Sequence, residues 1–198
     1  MKLYWCPKTR AVRALWMLEE LGQPYQRVLI DIRDPAARAD PAFRAASPMG
    51  KVPALEDGAT RLWDSGAICA YLADQYPGAG LAPPIGHPDR GAYLQWLMYT
   101  NSVIEPAMAE KFSQAPVSTV AHGWGSFELM LETLRQGLER GPWILGERFS
   151  AADVLLGMSC HFLRQFGAVK DEPRLFAYAD RCAARPALQR ALALEVLP

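Results

Sequence analysis

The sequence predicts an α+β chain: a β-α-β-α-β-β-α unit over residues 1–76, a linker over 77–88 and an all-helical domain over 89–198. Three observations carry this. The strand-like runs "KLYW", "RVLIDI", "KVPALED" and "TRLWD" all fall before residue 65. The segment "PGAGLAPPIGHP" at 77–88 holds four prolines and three glycines, a density that no regular element survives. Beyond it, apolar residues recur at helical spacing with no comparable strand run.

Taken in order, "KLYW" is a short, aromatic-rich strand. Val12, Leu15, Trp16 and Leu18 then follow helical spacing, and Gly22 with Pro24 gives a helix stop. "RVLIDI" is a β-branched strand, and "DPAARADPAFRAA" is an alanine-rich irregular helix broken by Pro35 and Pro41. "KVPALED" and "TRLWD" flank Asp57-Gly58, a hairpin signal. Ser65 opens the helix "SGAICAYLADQY". In the second half, "GAYLQWLMYTNSVIEPAMAEKF" is a long helix that Pro106 is expected to bend. "GSFELMLETLRQGLER" and "FSAADVLLGMSCHFLRQFG" are two more helices, and "PRLFAYADRCAARPALQRALAL" is interrupted at Pro186.

The formal net charge is zero, which argues against a nucleic-acid partner. No apolar run reaches the length of a membrane span, and the N-terminus lacks the apolar core of a signal peptide. Cys6, Cys69, Cys160 and Cys182 form no C-x-x-C pair and read as reduced thiols, the usage of a cytoplasmic protein. His87, His122 and His161 have no ligand spacing, so no metal is expected.

Two local signals are sharper than periodicity. Ser150-Ala-Ala-Asp153 resembles a capping box, with Phe149 and Val154 as a hydrophobic staple, and reads as a helix start rather than a catalytic pair. Val52-Pro53 lies in a strand-like run, where proline needs an edge or a bend. A cis peptide there would turn the main chain of Val52 outward, where a bound peptide could pair with it as an extra strand.

These pieces resemble the cytosolic glutathione S-transferases. The resemblance rests on "LYWCPKTRAVRALWMLEELG" at 3–22, "SPMGKVPAL" at 47–55, "DSGAICAYL" at 64–72 and "ERFSAADVLL" at 147–156, in the order and spacing of that family. It implies a thioredoxin-like N-terminal domain that binds glutathione, an all-helical C-terminal domain that shapes an electrophile pocket, and a homodimer. It implies activation of the glutathione thiol for attack on a small hydrophobic electrophile.

By the same resemblance, Ser65 meets the γ-glutamyl carboxylate of glutathione and Asp64 its amine. A helix start suits that role, since its free N–H groups and dipole favour an anion. Without the resemblance Asp64-Ser65 is a helix cap, and the two roles are compatible. The family more often has glutamate where Asp64 stands. Val52 pairs through its main chain with the cysteinyl unit, Pro53 supports that geometry, and Lys51 meets the glycyl carboxylate. The bland alternative for Lys51 is an exposed strand-end lysine.

A free thiol is mostly protonated at neutral pH, so a positioned hydroxyl at a helix N-terminus would favour the thiolate. Counting back from Gly22, the family's serine or cysteine position falls at Lys8 to Arg10, where Thr9 is the hydroxyl. Thr9 is therefore the expected catalytic residue. Cys6 is its rival, because "CP" resembles the omega-type transferases and glutaredoxins, although it lies about two residues early. Tyr4 is a third candidate whose place in "KLYW" suits a core aromatic. Arg13 matches an arginine expected to be structural. Met98 and Glu105 stand where the cysteine-type bacterial members carry asparagine and histidine, which counts against that class.

Tyr99, Met108, Phe112 and Trp124 are apolar candidates for the electrophile pocket, each also a candidate core residue. Two other functions fit the same motifs: a glutathione-dependent thiol–disulfide reductase using Cys6, and a non-catalytic binding protein of the same fold.

Overall fold

The computed structural model describes residues 1–114, 116 and 118–195. The chain divides into two compact units. One is Met1–Ala79 together with the C-terminal stretch that begins at Arg185; the other is Gly80–Ala184.

The first unit is built on a four-stranded mixed sheet in the order β2-β1-β3-β4. The strands are β1 (Lys2–Trp5), β2 (Gln26–Leu29), β3 (Ala54–Asp57) and β4 (Thr60–Trp63). β1 runs parallel to β2 and antiparallel to β3, and β3 and β4 form a hairpin. That hairpin turns at Gly58 and Ala59, where Gly58 takes φ of +58°, open to glycine at no steric cost. Helices of the same unit pack on this sheet and give the thioredoxin-like α+β architecture the sequence predicts, with a helical unit as the second part of the chain.

Helix α1 (Ala11–Leu21) is buried on every side from Ala11 to Leu18 because it packs against β1, α4 (Ser65–Gln75) and α10 (Pro186–Ala193). Its end at Gly22, with φ of +64° and the Gly22 N–H on the Leu18 carbonyl, is the predicted glycine stop. The alanine-rich segment forms two short helices, α2 (Pro35–Ala39) and α3 (Pro41–Ala46). Asp34 and Asp40 cap them, so each proline starts a helix at the position where its missing N–H costs nothing. Pro186 does the same for α10.

The sequence expectation groups α10 with the helical domain, but its packing is on α1. Arg185 makes a two-pronged pair with Glu20, at 2.6 and 2.8 Å, and Arg190 Nε donates to Glu19 at 2.8 Å. Glu20 also accepts from the Trp16 indole at 2.8 Å, which fixes its carboxylate for Arg185.

The second unit contains α5 (Arg90–Tyr99), a π-helical turn (Thr100–Ile104), α6 (Glu105–Ser113), α7 (Phe127–Gly137), α8 (Ala151–Gln165) and α9 (Pro173–Ala183). The π turn stands where the sequence predicts a bend. The Pro106 ring would clash with the carbonyl four residues back, on Ser102, and widening the helix relieves that clash. Helix α8 is the core, buried along nearly its whole length between α5 and α9. Its capping box forms, and Asp153 does more than close it. The buried carboxylate accepts from the Ser150 N–H at 2.9 Å, the Ile144 N–H at 2.8 Å and the Tyr178 hydroxyl at 2.7 Å.

Candidate functional site

Strand register brings the sequence-predicted residues to one end of the sheet. Tyr4 pairs with Ala54 across β1 and β3, and Ala54 pairs with Trp63 across β3 and β4. The turn after β1, the residues before β3 and those after β4 therefore emerge side by side. They carry Cys6 and Thr9, Lys51 to Pro53, and Asp64 with Ser65. The β1–β3 part of this juxtaposition pairs residues fifty positions apart, Tyr4 and Ala54.

The turn after β1 is held by Thr9. Its hydroxyl donates to the Cys6 carbonyl at 2.6 Å and accepts from the Ala11 N–H at 3.1 Å. One side chain thus ties the strand end to the first turn of α1. The Thr9 N–H donates to no acceptor among the described residues and lies at the positive end of the helix dipole. Cys6 is a free thiol, 7% exposed. Lys8 takes φ of +59°, and its N–H donates to Glu195 Oε2 at 3.3 Å. Tyr4 is core: its ring lies 5.5 Å from Phe43, its hydroxyl donates to Glu56 at 3.3 Å, and burial raises its pKa.

Before β3, the buried Ser47 hydroxyl accepts from the Lys51 N–H at 3.0 Å and donates to the Lys51 carbonyl at 2.7 Å. Both polar groups of one peptide segment are thereby fixed by a single oxygen. Val52 follows with its side chain against the cluster of Tyr4, Ile30, Phe43, Ala46 and Ala54. Its main-chain N–H and C=O make no hydrogen bond among the described residues. The Val52–Pro53 peptide bond is cis. The Lys51 side chain is exposed and makes no ion pair among the described residues.

After β4, Asp64 is the cap and Ser65 the first helical residue, a division of labour that the sequence left open. Asp64 Oδ1 accepts from the Gly66 N–H at 2.8 Å and the Ala67 N–H at 3.4 Å. Its φ of +79° is unusual for a residue with a side chain, and such a conformation costs about 1–3 kcal/mol. Ser65 is 4% exposed, and its hydroxyl and N–H have no partner among the described residues. A buried serine at a helix start, with donors unengaged among the described residues, presents the kind of groups that helix termini offer to anions.

Of the four electrophile-pocket candidates, Tyr99 and Trp124 line one cleft of the helical unit, while Met108 and Phe112 are not among its lining residues. Tyr99 is buried and donates to the Met130 carbonyl at 2.9 Å, and Met108 is core. Phe112 is half exposed, with its ring 6.3 Å from Phe166. Two contributors escaped the sequence. Ser47 sits inside a quoted motif but signals nothing until its partner is known. Glu195 reaches Lys8 across 187 residues, which no local pattern encodes. Burial raises the Glu195 pKa, the Lys8 N–H opposes that, and its second oxygen is buried with no partner among the described residues.

The chain matches the N-terminal domain family of glutathione S-transferases over residues 5–75 and the C-terminal domain family over 117–193. It is 30% identical to a glutathione S-transferase of Escherichia coli O157:H7, with both chains covered in full. It is 27% identical to a disulfide-bond oxidoreductase of Escherichia coli K12, covering 96% of this chain and 93% of that one. A sphingomonad glutathione S-transferase solved in complex with glutathione superposes with a TM-score of 0.80 at 33% identity, over the whole of both chains.

Proposed function

Because the chain belongs to the glutathione S-transferase family, we propose that it activates the glutathione thiol for attack on a small hydrophobic electrophile. The observation that carries this is the gathering at one end of the sheet of Asp64 with groups unengaged among the described residues, the Ser65 hydroxyl and N–H, the Val52 main chain and the Lys51 ammonium. A γ-glutamyl carboxylate fits the free Ser65 hydroxyl and N–H at the start of α4. The substrate amine fits Asp64. The cysteinyl unit pairs with the main chain of Val52, with Pro53 as its support, and Lys51 neutralises the glycyl carboxylate.

So bound, the sulfur lies over the turn from Cys6 to Thr9. Thr9 is the residue assigned to it. A thiolate competes with the Cys6 carbonyl for the Thr9 hydroxyl hydrogen, and a charged acceptor makes the stronger bond. The Thr9 N–H and the α1 dipole act in the same direction. The thiol proton passes to solvent, and the thiolate forms a bond to the electrophilic carbon as the bond from that carbon to a halide or similar leaving group breaks and the leaving group departs as an anion; the product is a thioether. A homodimer belongs to the same reading. Leu94 and Met98 on α5 are apolar and exposed, as an interface would need.

Truncated ligands test the site. Glutathione, γ-glutamylcysteine and cysteinylglycine are titrated calorimetrically. Loss of the γ-glutamyl end should weaken binding most, because Ser65 and the helix start go unused. Equal binding of all three, or none, would sink the reading.

A second reading, thiol–disulfide exchange at Cys6, is favoured by the place of that thiol on the same turn and by the similarity to a disulfide-bond oxidoreductase. There the Cys6 thiolate attacks a disulfide and forms a mixed disulfide as the other thiolate departs. A glutathione adduct on Cys6, seen by mass spectrometry after glutathione disulfide is added, separates the two.

A further inference from the structure

The helical unit Gly80–Ala184 contains a polar cluster that the reading above leaves unused. Glu110, on α6, is a buried carboxyl whose side chain is 5% exposed. One of its oxygens, Oε2, accepts from the Trp124 indole N–H at 3.0 Å and lies 2.9 Å from His122 Nδ1. An indole N–H only donates, so this oxygen accepts from Trp124. With Glu110 as the carboxylate and His122 as the neutral imidazole, Nδ1 carries the hydrogen and Nε2 is the acceptor. The imidazole lies flat on Trp124, with ring centres 4.5 Å apart and planes 23° from parallel. Stacking and the Glu110 contact together fix the ring in orientation and in tautomer.

His122 opens on a cleft of about 290 Å³ between α5 and its π turn, α7 and the loop before it. Tyr99, Val103, Trp124, Leu129 and Met130 give it apolar walls. The wall hydroxyls of Tyr99 and Thr133 already donate to the carbonyls of Met130 and Leu129, both at 2.9 Å. Nε2 has no partner among the described residues, and the exposed Thr119 adds a hydroxyl to the lining. The volume is at the small end of the range for ligand pockets, which is about 300–1,000 Å³. A cleft of this size, with apolar walls and an imidazole acceptor in its polar part, matches a single aromatic ring bearing one hydrogen-bond donor.

We propose that this cleft is a second ligand site, which binds a one-ring phenol with its O–H donated to His122 Nε2. Glu110 and Trp124 are positioning residues that hold the imidazole for it. The site lies within one unit and requires no glutathione.

The test compares 4-chlorophenol with 4-chloroanisole, its methyl ether, on the full chain at pH 8 without glutathione. The ether is the more apolar and lacks the donor. Binding is followed by proton NMR of the histidine ring signals, of which the chain has three sets. The phenol should bind about five-fold tighter than the ether, the effect of one hydrogen bond, and should move the His122 ring signals. His122→Phe keeps a ring to stack on Trp124 and should abolish the preference. Equal binding of the two probes by the native chain, no binding at millimolar concentration, or a preference that survives His122→Phe would each overturn the proposal. The comparison on the native chain decides the matter even if the variant misfolds.

Discussion

Thr9 and Cys6, the two candidates for the sulfur, are bonded to each other: the Thr9 hydroxyl donates to the Cys6 carbonyl at 2.6 Å. The hydroxyl that could stabilise a thiolate also holds the turn beneath it. Thr9→Ala should lower kcat/KM for conjugation at least about ten-fold, the range of a hydrogen bond to a charged group. It should also cost about 1 kcal/mol of stability through the lost contact to the Ala11 N–H. Thr9→Ser should retain most of both. A chlorodinitrobenzene assay beside urea denaturation reads the two effects. Abolition of activity by Cys6→Ser with Thr9→Ala active would reverse the assignment.

Ser65 and Asp64 are adjacent yet should fail differently. The Ser65 hydroxyl makes no bond within the described chain, so Ser65→Ala should leave stability within about 0.5 kcal/mol of the native value. Its glutathione affinity should fall about ten-fold or more, as for a lost bond to a carboxylate. Asp64→Ala removes the α4 cap and should cost about 1 kcal/mol in stability. Calorimetric titration and thermal melts measured on both variants check the separation.

Asp153→Ala should be among the most damaging single changes in the helical unit. It leaves the Ile144 N–H, the Ser150 N–H and the Tyr178 hydroxyl without their acceptor inside the protein. A loss of about 3 kcal/mol or more is expected, from several buried donors left unsatisfied at about 1–3 kcal/mol each. Tyr178→Phe removes one donor and should cost far less. Urea denaturation followed by tryptophan fluorescence gives both values, and near-equal losses would show that the Asp153 network matters little.

Glu172 should contribute to acid sensitivity. Its carboxyl accepts from Arg135 Nε at 2.9 Å and from the other arm of the same guanidinium. Hydrogen bonding from Arg135 lowers its pKa, and burial opposes this. A carboxyl with a lowered native pKa stabilises above its unfolded value, about 4.3, and loses that contribution as pH falls through the native value. Glu172→Gln should therefore flatten the loss of stability below about pH 4.3, by no more than about 1 kcal/mol for a partly solvated pair. Denaturation curves at pH 3, 4 and 6 test the sign.

The sequence by itself determined what acts over a few residues. Gly22 ends α1, and α4 starts at the Asp64-Ser65 pair. The Ser150–Asp153 box was also legible, because caps join atoms two to four positions apart. The motifs "SPMGKVPAL" and "DSGAICAYL" carried the family and with it the expected glutathione residues. Tertiary structure decided what depends on distant surfaces meeting. It moved α10 onto α1 through Glu20 and Arg185, 165 residues apart. It engaged the Thr9 hydroxyl, left that of Ser65 unengaged, and dispersed Tyr99, Met108 and Phe112 among a wall, a core and a surface. A residue type states which hydrogen bonds a side chain can make. Only packing decides which of them are already made, and a site consists of those that are not.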